Sequence, residues 1–272
     1  MKRILSIGFF LTLVFSTPAF AQTDSSFVLL RSYQGDISDA TMDNLSNLYV
    51  ISTKGQIKKF NAAGDSVAVY NQVRNFGKLF SIDVSNPLKV ILFYKDFSTV
   101  VVLDRFLTNI ATLQLRRYNI LQPDAVGLSY DNNIWVYDEY DGKLKKLDEQ
   151  GNKLSETADF RTVFNQPFAP QKILNDNGLV YLADSTAGVF IFDNYGSFKK
   201  KVPVINWHSI AINKSNIIST SSQSISVFNT STFLQNDKRY PAFTSYLHSF
   251  TLSDKFIIFS AKDLKIYRYE LR

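Results

Sequence analysis

Six short apolar runs recur along the chain, each opening just after a polar turn. They are Asn47-Leu-Tyr-Val-Ile, Lys89-Val-Ile-Leu-Phe, Asn133-Ile-Trp-Val-Tyr, Leu179-Val-Tyr-Leu-Ala, Asn216-Ile-Ile-Ser-Thr and Lys255-Phe-Ile-Ile-Phe. Their starts lie 42, 44, 46, 37 and 39 residues apart. A beat near forty residues is the length that four short strands and their turns occupy. The first repeat shows the grammar: Asp39 to Asp43, Leu48 to Ser52, Gln56 to Asn61 and Ser66 to Tyr70 read as strands. Asn, Gly and Asp stand where the chain must reverse, because they tolerate positive φ and bond their own backbone. Val, Ile, Phe, Tyr and Thr fill the runs between, as pleated strands prefer. No helical period of any length is visible.

Six four-stranded sheets set radially make a six-bladed, all-β propeller, which leaves only short strand edges. A two-sheet sandwich is the alternative. The last repeat has room for only three strands: Leu247 to Leu252, Phe256 to Ser260 and Leu264 to Glu270. Ahead of the first repeat stands a lone apolar segment, Phe27 to Tyr33. It is expected to close the ring as the outer strand of the last blade, beside Leu264 to Glu270. Stability must come from burial, since the chain has no cysteine and 45% apolar residues.

Residues 1–21 read as a secretory signal: Lys2 and Arg3, an apolar stretch from Ile4 to Phe15, then Ala19-Phe-Ala21 before the cleavage point. That stretch is too short to span a bilayer, and no later run does so without charges. Residues 22–272 are then expected to form a single domain, exported to a bacterial periplasm, outer-membrane surface or medium. The formal charge is +6, and the signal carries +2 of it. Such a mild excess does not argue for nucleic acid.

Asn133 to Gly151 repeats the order of Asn47 to Gly64, and Leu179 to Gly196 gives Leu-Val-Tyr-Leu-Ala-Asp followed by Ile-Phe-Asp-Asn-Tyr-Gly. These three segments resemble NHL-type propeller repeats, whose core reads leu-tyr-val-ala-asp, then ile-x-x-phe-asp-x-x-gly. The other three keep only the apolar pattern. The resemblance implies the propeller fold and places function on the loop-rich face around the central channel. It does not select an activity, because the family includes enzymes, scaffolds and binding modules.

Two histidines stand in similar contexts, Trp207-His208-Ser-Ile-Ala-Ile and Leu247-His248-Ser-Phe-Thr-Leu. Aligned residue for residue, both open inner strands of adjacent blades and approach one channel mouth. There an imidazole can bind a metal or act as a base near neutral pH. Ser38, Phe80, Asp124 and Pro170 take the equivalent place in the other blades, which suits a binding surface better than a metal cage. The loops after the second strands add Asp138, Glu139, Asp141 and Asp184, an acidic side whose oxygens suit Ca²⁺. They lack the spacing of a Ca²⁺ loop, so no cofactor is expected. Trp207, with Trp135, Tyr137 and Tyr140, is placed near this rim. The lysine runs Lys58-Lys59, Lys145-Lys146 and Lys199 to Lys201 read as solvated outer edges.

No nucleophile elbow, phosphate loop, His-Glu-x-x-His or dinucleotide fingerprint occurs. Two readings follow. The favoured one is an exported scaffold, alone or as a subunit of an envelope assembly or secretion complex, that holds an envelope protein or a glycan on its rim, at His208, His248, Trp207, Asp124, Asp138, Asp141 and Asp184. The other is a cation-dependent hydrolase or lyase at the channel mouth, with His208 or His248 as base. Repeats five and six drift furthest and carry both histidines, so a specialised surface is expected on those blades.

Overall fold

The computed structural model describes residues 27–71, 76–164, 168–239 and 248–269. The expected signal segment lies outside them. The repeats become six antiparallel four-stranded sheets. Blade one holds β2 (Asp39–Met42), β3 (Leu48–Ile51), β4 (Ile57–Phe60) and β5 (Ser66–Tyr70). Blade two holds β6 (Ser81–Asn86), β7 (Lys89–Tyr94), β8 (Thr99–Asp104) and β9 (Asn109–Gln114). Blade three holds β10 (Pro123–Leu128), β11 (Ile134–Asp138), β12 (Lys143–Leu147) and β13 (Lys153–Glu156). Blade four holds β14 (Lys172–Asp176), β15 (Leu179–Asp184), β16 (Gly188–Asp193) and β17 (Phe198–Val202). Blade five holds β18 (Ser209–Asn213), β19 (Asn216–Thr220), β20 (Ser224–Asn229) and β21 (Gln235–Arg239). Blade six holds β22 (His248–Leu252), β23 (Lys255–Phe259) and β24 (Asp263–Tyr269), and its outer place is taken by β1 (Phe27–Gln34).

The ring therefore closes as expected. β1 runs antiparallel to β24 from Phe27 opposite Tyr269 to Gln34 opposite Asp263. A bulge at Leu29 to Arg31 interrupts the ladder, and Phe27 stacks on Tyr269 at 6.2 Å.

Strand alternation turns each second strand into a two-sided wedge, because successive side chains leave opposite faces. Tyr49 and Ile51 enter a cluster with Val90, Leu92 and Tyr94 of blade two, while Leu48 and Val50 pack with Ile257 and Phe259 of blade six. The same rule holds around the ring, so six apolar clusters correspond to six blade-to-blade interfaces. Radial sheets diverge outward, and the gap between them needs bulk. Between blades three and four a short helix, α1 (Phe160–Phe164), supplies it. Phe160 and Phe164 pack there with Phe168, Phe190, Phe192 and Phe198 at ring distances from 4.4 to 6.5 Å. This helix and a 3₁₀ turn at Leu115–Tyr118 depart from the all-strand expectation.

The Asp-x-x-Gly signature has a local cause. Asp148 Oδ1 accepts the amides of Gln150 and Asn152, and Asp193 Oδ1 those of Tyr195 and Ser197. Gly151 and Gly196 then take positive φ, where a Cβ is strained. Blade two places Leu107 there at φ 61° and offsets the strain by burying its side chain between blades one and two.

Candidate functional site

The first strands of the blades line the axis and lie against one another around the ring. Their register with the second strands defines a common level. Asp39 stands opposite Ile51, Ser81 opposite Phe93, and Ala125 opposite Tyr137. Lys172 stands opposite Ala183, Ser209 opposite Thr220, and His248 opposite Phe259. This ring corrects the alignment of the two histidines. His248 belongs to it, stacked on Phe259 at 5.0 Å, but Ser209 and not His208 holds the matching place in blade five. His208 lies in the bend before the strand, exposed, with its amide donated to the Thr220 carbonyl. Ser38, Phe80, Asp124 and Pro170 likewise precede the ring level by one or two residues.

Two ring members that sequence inspection passed over, Asp39 and Lys172, are electrostatically coupled. Asp39 keeps contact with solvent in the channel, but the protein around it partly desolvates its carboxyl and pushes it up; the Ala40 amide at 2.7 Å and the charges of Lys172 and His248 oppose that. Burial also pushes the Lys172 ammonium down, against the pull of Asp39 and Asp83. Asp83 in turn accepts the Leu128 amide at 2.7 Å and ties blade two to blade three.

The acidic rim residues are committed to the scaffold. Asp138 is fully buried. Its carboxylate accepts the Gln122 amide at 2.9 Å, the Leu121 amide at 3.3 Å and the Lys145 ammonium at 2.7 Å. Asp141 caps the same ammonium. Burial alone would push Lys145 down, yet these two carboxylates hold it above its ordinary value. Asp184 does the equivalent work one blade on. It accepts the amides of Ala169, Thr186 and Ala187 and the Thr186 hydroxyl, which outweigh burial and keep it below the usual carboxylate range. Both aspartates pin the chain that enters their blade from the previous one.

Trp207 is buried, 8% exposed, among Val204, Ile210 and Ile217 between blades four and five. Trp135 and Tyr137 are buried between blades three and four, so of the four aromatics placed near the rim only Tyr140 is exposed. The lysine runs are corrected in part: Lys58, Lys199 and Lys201 are exposed as expected, but others are not. Lys59, Lys145 and Lys146 are buried. Lys59 Nζ lies over the Tyr49 ring and donates to the Arg105 carbonyl of the next blade at 2.9 Å. Lys146 lies over Trp135 and pairs with Asp131 at 2.8 Å.

Asp124 stands in company that its sequence neighbourhood did not show. It pairs with Lys95 at 2.5 Å, and the Lys95 ammonium lies 5.1 Å from the Phe80 ring. Glu139 sits beside it, bonded to the Gln122 amide group. Burial first, and the Asp124 carboxylate second, hold the Glu139 carboxyl above its ordinary value. Around this trio the rim of blades two and three exposes Phe80, Phe97, Leu121 and Tyr140, with Phe97 and Tyr140 each 60% exposed. A Cβ on Gly77 would lie 2.9 Å from the Phe97 ring. Among the described residues the exposed aromatic rim thus falls on blades two and three, not on five and six. Part of the rim before β22, residues 240–247, lies outside the described residues.

No protein-family model and no curated protein matches this sequence. Solved propellers do resemble it in shape. A catalytically inactive virginiamycin B lyase from Staphylococcus aureus, crystallised with quinupristin, aligns with a TM-score of 0.61 and 9% identity, over 88% of this chain and 99% of that one. The Pan2 WD40 domain of Neurospora crassa aligns at 0.57 and 12% identity, over 92% and 98%. An extracellular domain of a hybrid two-component system from B. thetaiotaomicron aligns at 0.56 and 13%, over 84% of this chain and 33% of that one. At these identities the likeness is one of fold alone.

Proposed function

We propose that the protein is an exported binding scaffold that engages a protein partner of the bacterial envelope through the rim of blades two and three. The observation that carries this reading is the rim cluster of Phe80, Phe97, Leu121 and Tyr140 around Lys95, Asp124 and Glu139. Exposed aromatic side chains beside a small set of partly buried charges are the composition of an interface hot spot. The leader-like residues 1–21 support export, and the repeats support an NHL-type propeller.

The cation-dependent hydrolase or lyase is less well supported. Its ligand oxygens on Asp138 and Asp184 are already occupied by backbone amides, and on Asp138 by Lys145 as well. His208 and His248 do not share a level on the channel wall.

The test is crosslinking and affinity capture from the native envelope with the parent chain and with Phe97→Ala/Tyr140→Ala. Loss of a specific captured protein, with melting unchanged, is the expected result. Capture that survives the double substitution refutes this rim as the contact surface.

A further inference from the structure

The wedge between blades six and one is filled differently from its counterpart between blades three and four. Near the axis it is packed by Ile37, Met42, Leu48 and Leu264. Further out Tyr33 of β1 and Phe60 of β4 meet at 5.1 Å, and both rings stay half-buried. What remains open is a cleft of about 610 Å³ running down the seam where the ring closes. That size lies within the range of small-ligand sites.

The chemistry of its walls is specific. The floor offers the two aromatic rings and Val50. Arg31 fixes the Tyr33 ring by donating to its hydroxyl at 3.2 Å, while also bonding the Ala62 carbonyl at 3.1 Å. Three carboxamides surround the floor: Gln34, Gln56 and Asn71, the last two bonded to each other at 2.6 Å. Lys54 and Lys58 line the same wall, both exposed, and neither ammonium group makes an ion pair or hydrogen bond among the described residues. The one carboxylate present, Asp36, is engaged by the Thr53 amide and hydroxyl. The strands of the blade-one wall, β3 and β4, are paired on both edges, so they offer no free backbone to an extended peptide.

We infer that the seam cleft binds a carboxylate-bearing saccharide. The face of a sugar ring packs on an aromatic side chain, and carboxamides give and accept hydrogen bonds from its hydroxyls. The two ammonium groups outnumber the single Asp36 carboxylate and take the carboxylate of the sugar. This site is separate from the rim of blades two and three, so either assignment stands or falls without the other.

The probe is trigalacturonate, titrated calorimetrically into the purified protein at low and moderate salt. Its methyl ester and hexaglutamate serve as comparisons. Saturable binding of trigalacturonate is expected, at least tenfold weaker in Lys54→Gln/Lys58→Gln and weakened in Tyr33→Leu. The methyl ester should bind at least tenfold more weakly than the acid, and added salt should weaken the acid's binding. The lysines are exposed, so their double variant should melt with the parent, which separates loss of binding from loss of fold. Absence of saturable binding, binding unchanged in the lysine variant, or equal binding of hexaglutamate overturns the assignment; the last would make the cleft a site for acidic peptides.

Discussion

Replacing Asp138 with alanine distinguishes a scaffold aspartate from a ligand-binding one. The side chain is fully buried, and its Lys145 partner is 4% exposed. Removing one member of a buried ion pair costs about 3–5 kcal/mol, because the other charge is left in a poor solvent. Here Asp141 still caps Lys145, which places the loss near the lower end. The Gln122 amide, bonded at 2.9 Å, is orphaned as well, and an unpaired buried donor costs about 1–3 kcal/mol unless water reaches it. Water can approach this loop from the rim. The sum is then about 3–4 kcal/mol, or roughly 10 °C in melting temperature for a domain of this size. Asp138→Asn keeps an acceptor for the Gln122 amide and should lose about half as much. Thermal and denaturant unfolding followed by circular dichroism reads both. Should Asp138→Ala melt within about 2 °C of the parent, the clamp is energetically idle and the reasoning fails. Loss of partner capture without loss of stability would make Asp138 a contact residue instead.

Two further outcomes follow from the packing and the charges. A Cβ on Gly127 would lie 2.5 Å from the Ile173 carbonyl oxygen, so Gly127→Ala should force β10 and β14 apart and lose about 1–3 kcal/mol; a melting temperature equal to or above the parent's would contradict that close approach. The Glu139 carboxyl is held above its ordinary value, so its contribution is full at low pH and lost as pH rises through the raised value. Glu139→Gln should therefore stabilise the protein at pH 7, by less than about 1 kcal/mol at this half-exposed position, and the gain should vanish below about pH 4. Equal gains at both pH values would show that the charge is not the cause.

The beat of forty residues and the truncated last repeat were enough to place all six blades and the closing strand. Both depend on the count of strands and turns, which apolar runs and turn residues mark directly. The histidine pair shows where counting fails. His208 and His248 are 40 residues apart, but the second strands that set their register, starting at Asn216 and Lys255, are 39 apart. The offset of one was present in the spacing and moves His208 off the ring level. Lys59 and Lys146 escaped for another reason. Their charges are met by a carbonyl of the neighbouring blade and by an aspartate fifteen residues away on the other side of a turn, partners that a local reading of the lysine runs does not supply. Rim exposure of Phe97 and Tyr140 likewise depends on which loops are long enough to cover them.

The pairing of β1 with β24 joins residues more than two hundred positions apart. During synthesis the first strand must wait for the last, and until then the sixth sheet has an uncovered edge and the ring an open side. Closure is thus a single late event of high contact order, and such steps are slow. Until it happens, Phe27 and the exposed Val28, Leu29 and Leu30 can meet the same edge in another copy as readily as in their own. Exchange of the first strand between copies is therefore the characteristic misassembly of this design, and dilution during refolding is the condition that should suppress it.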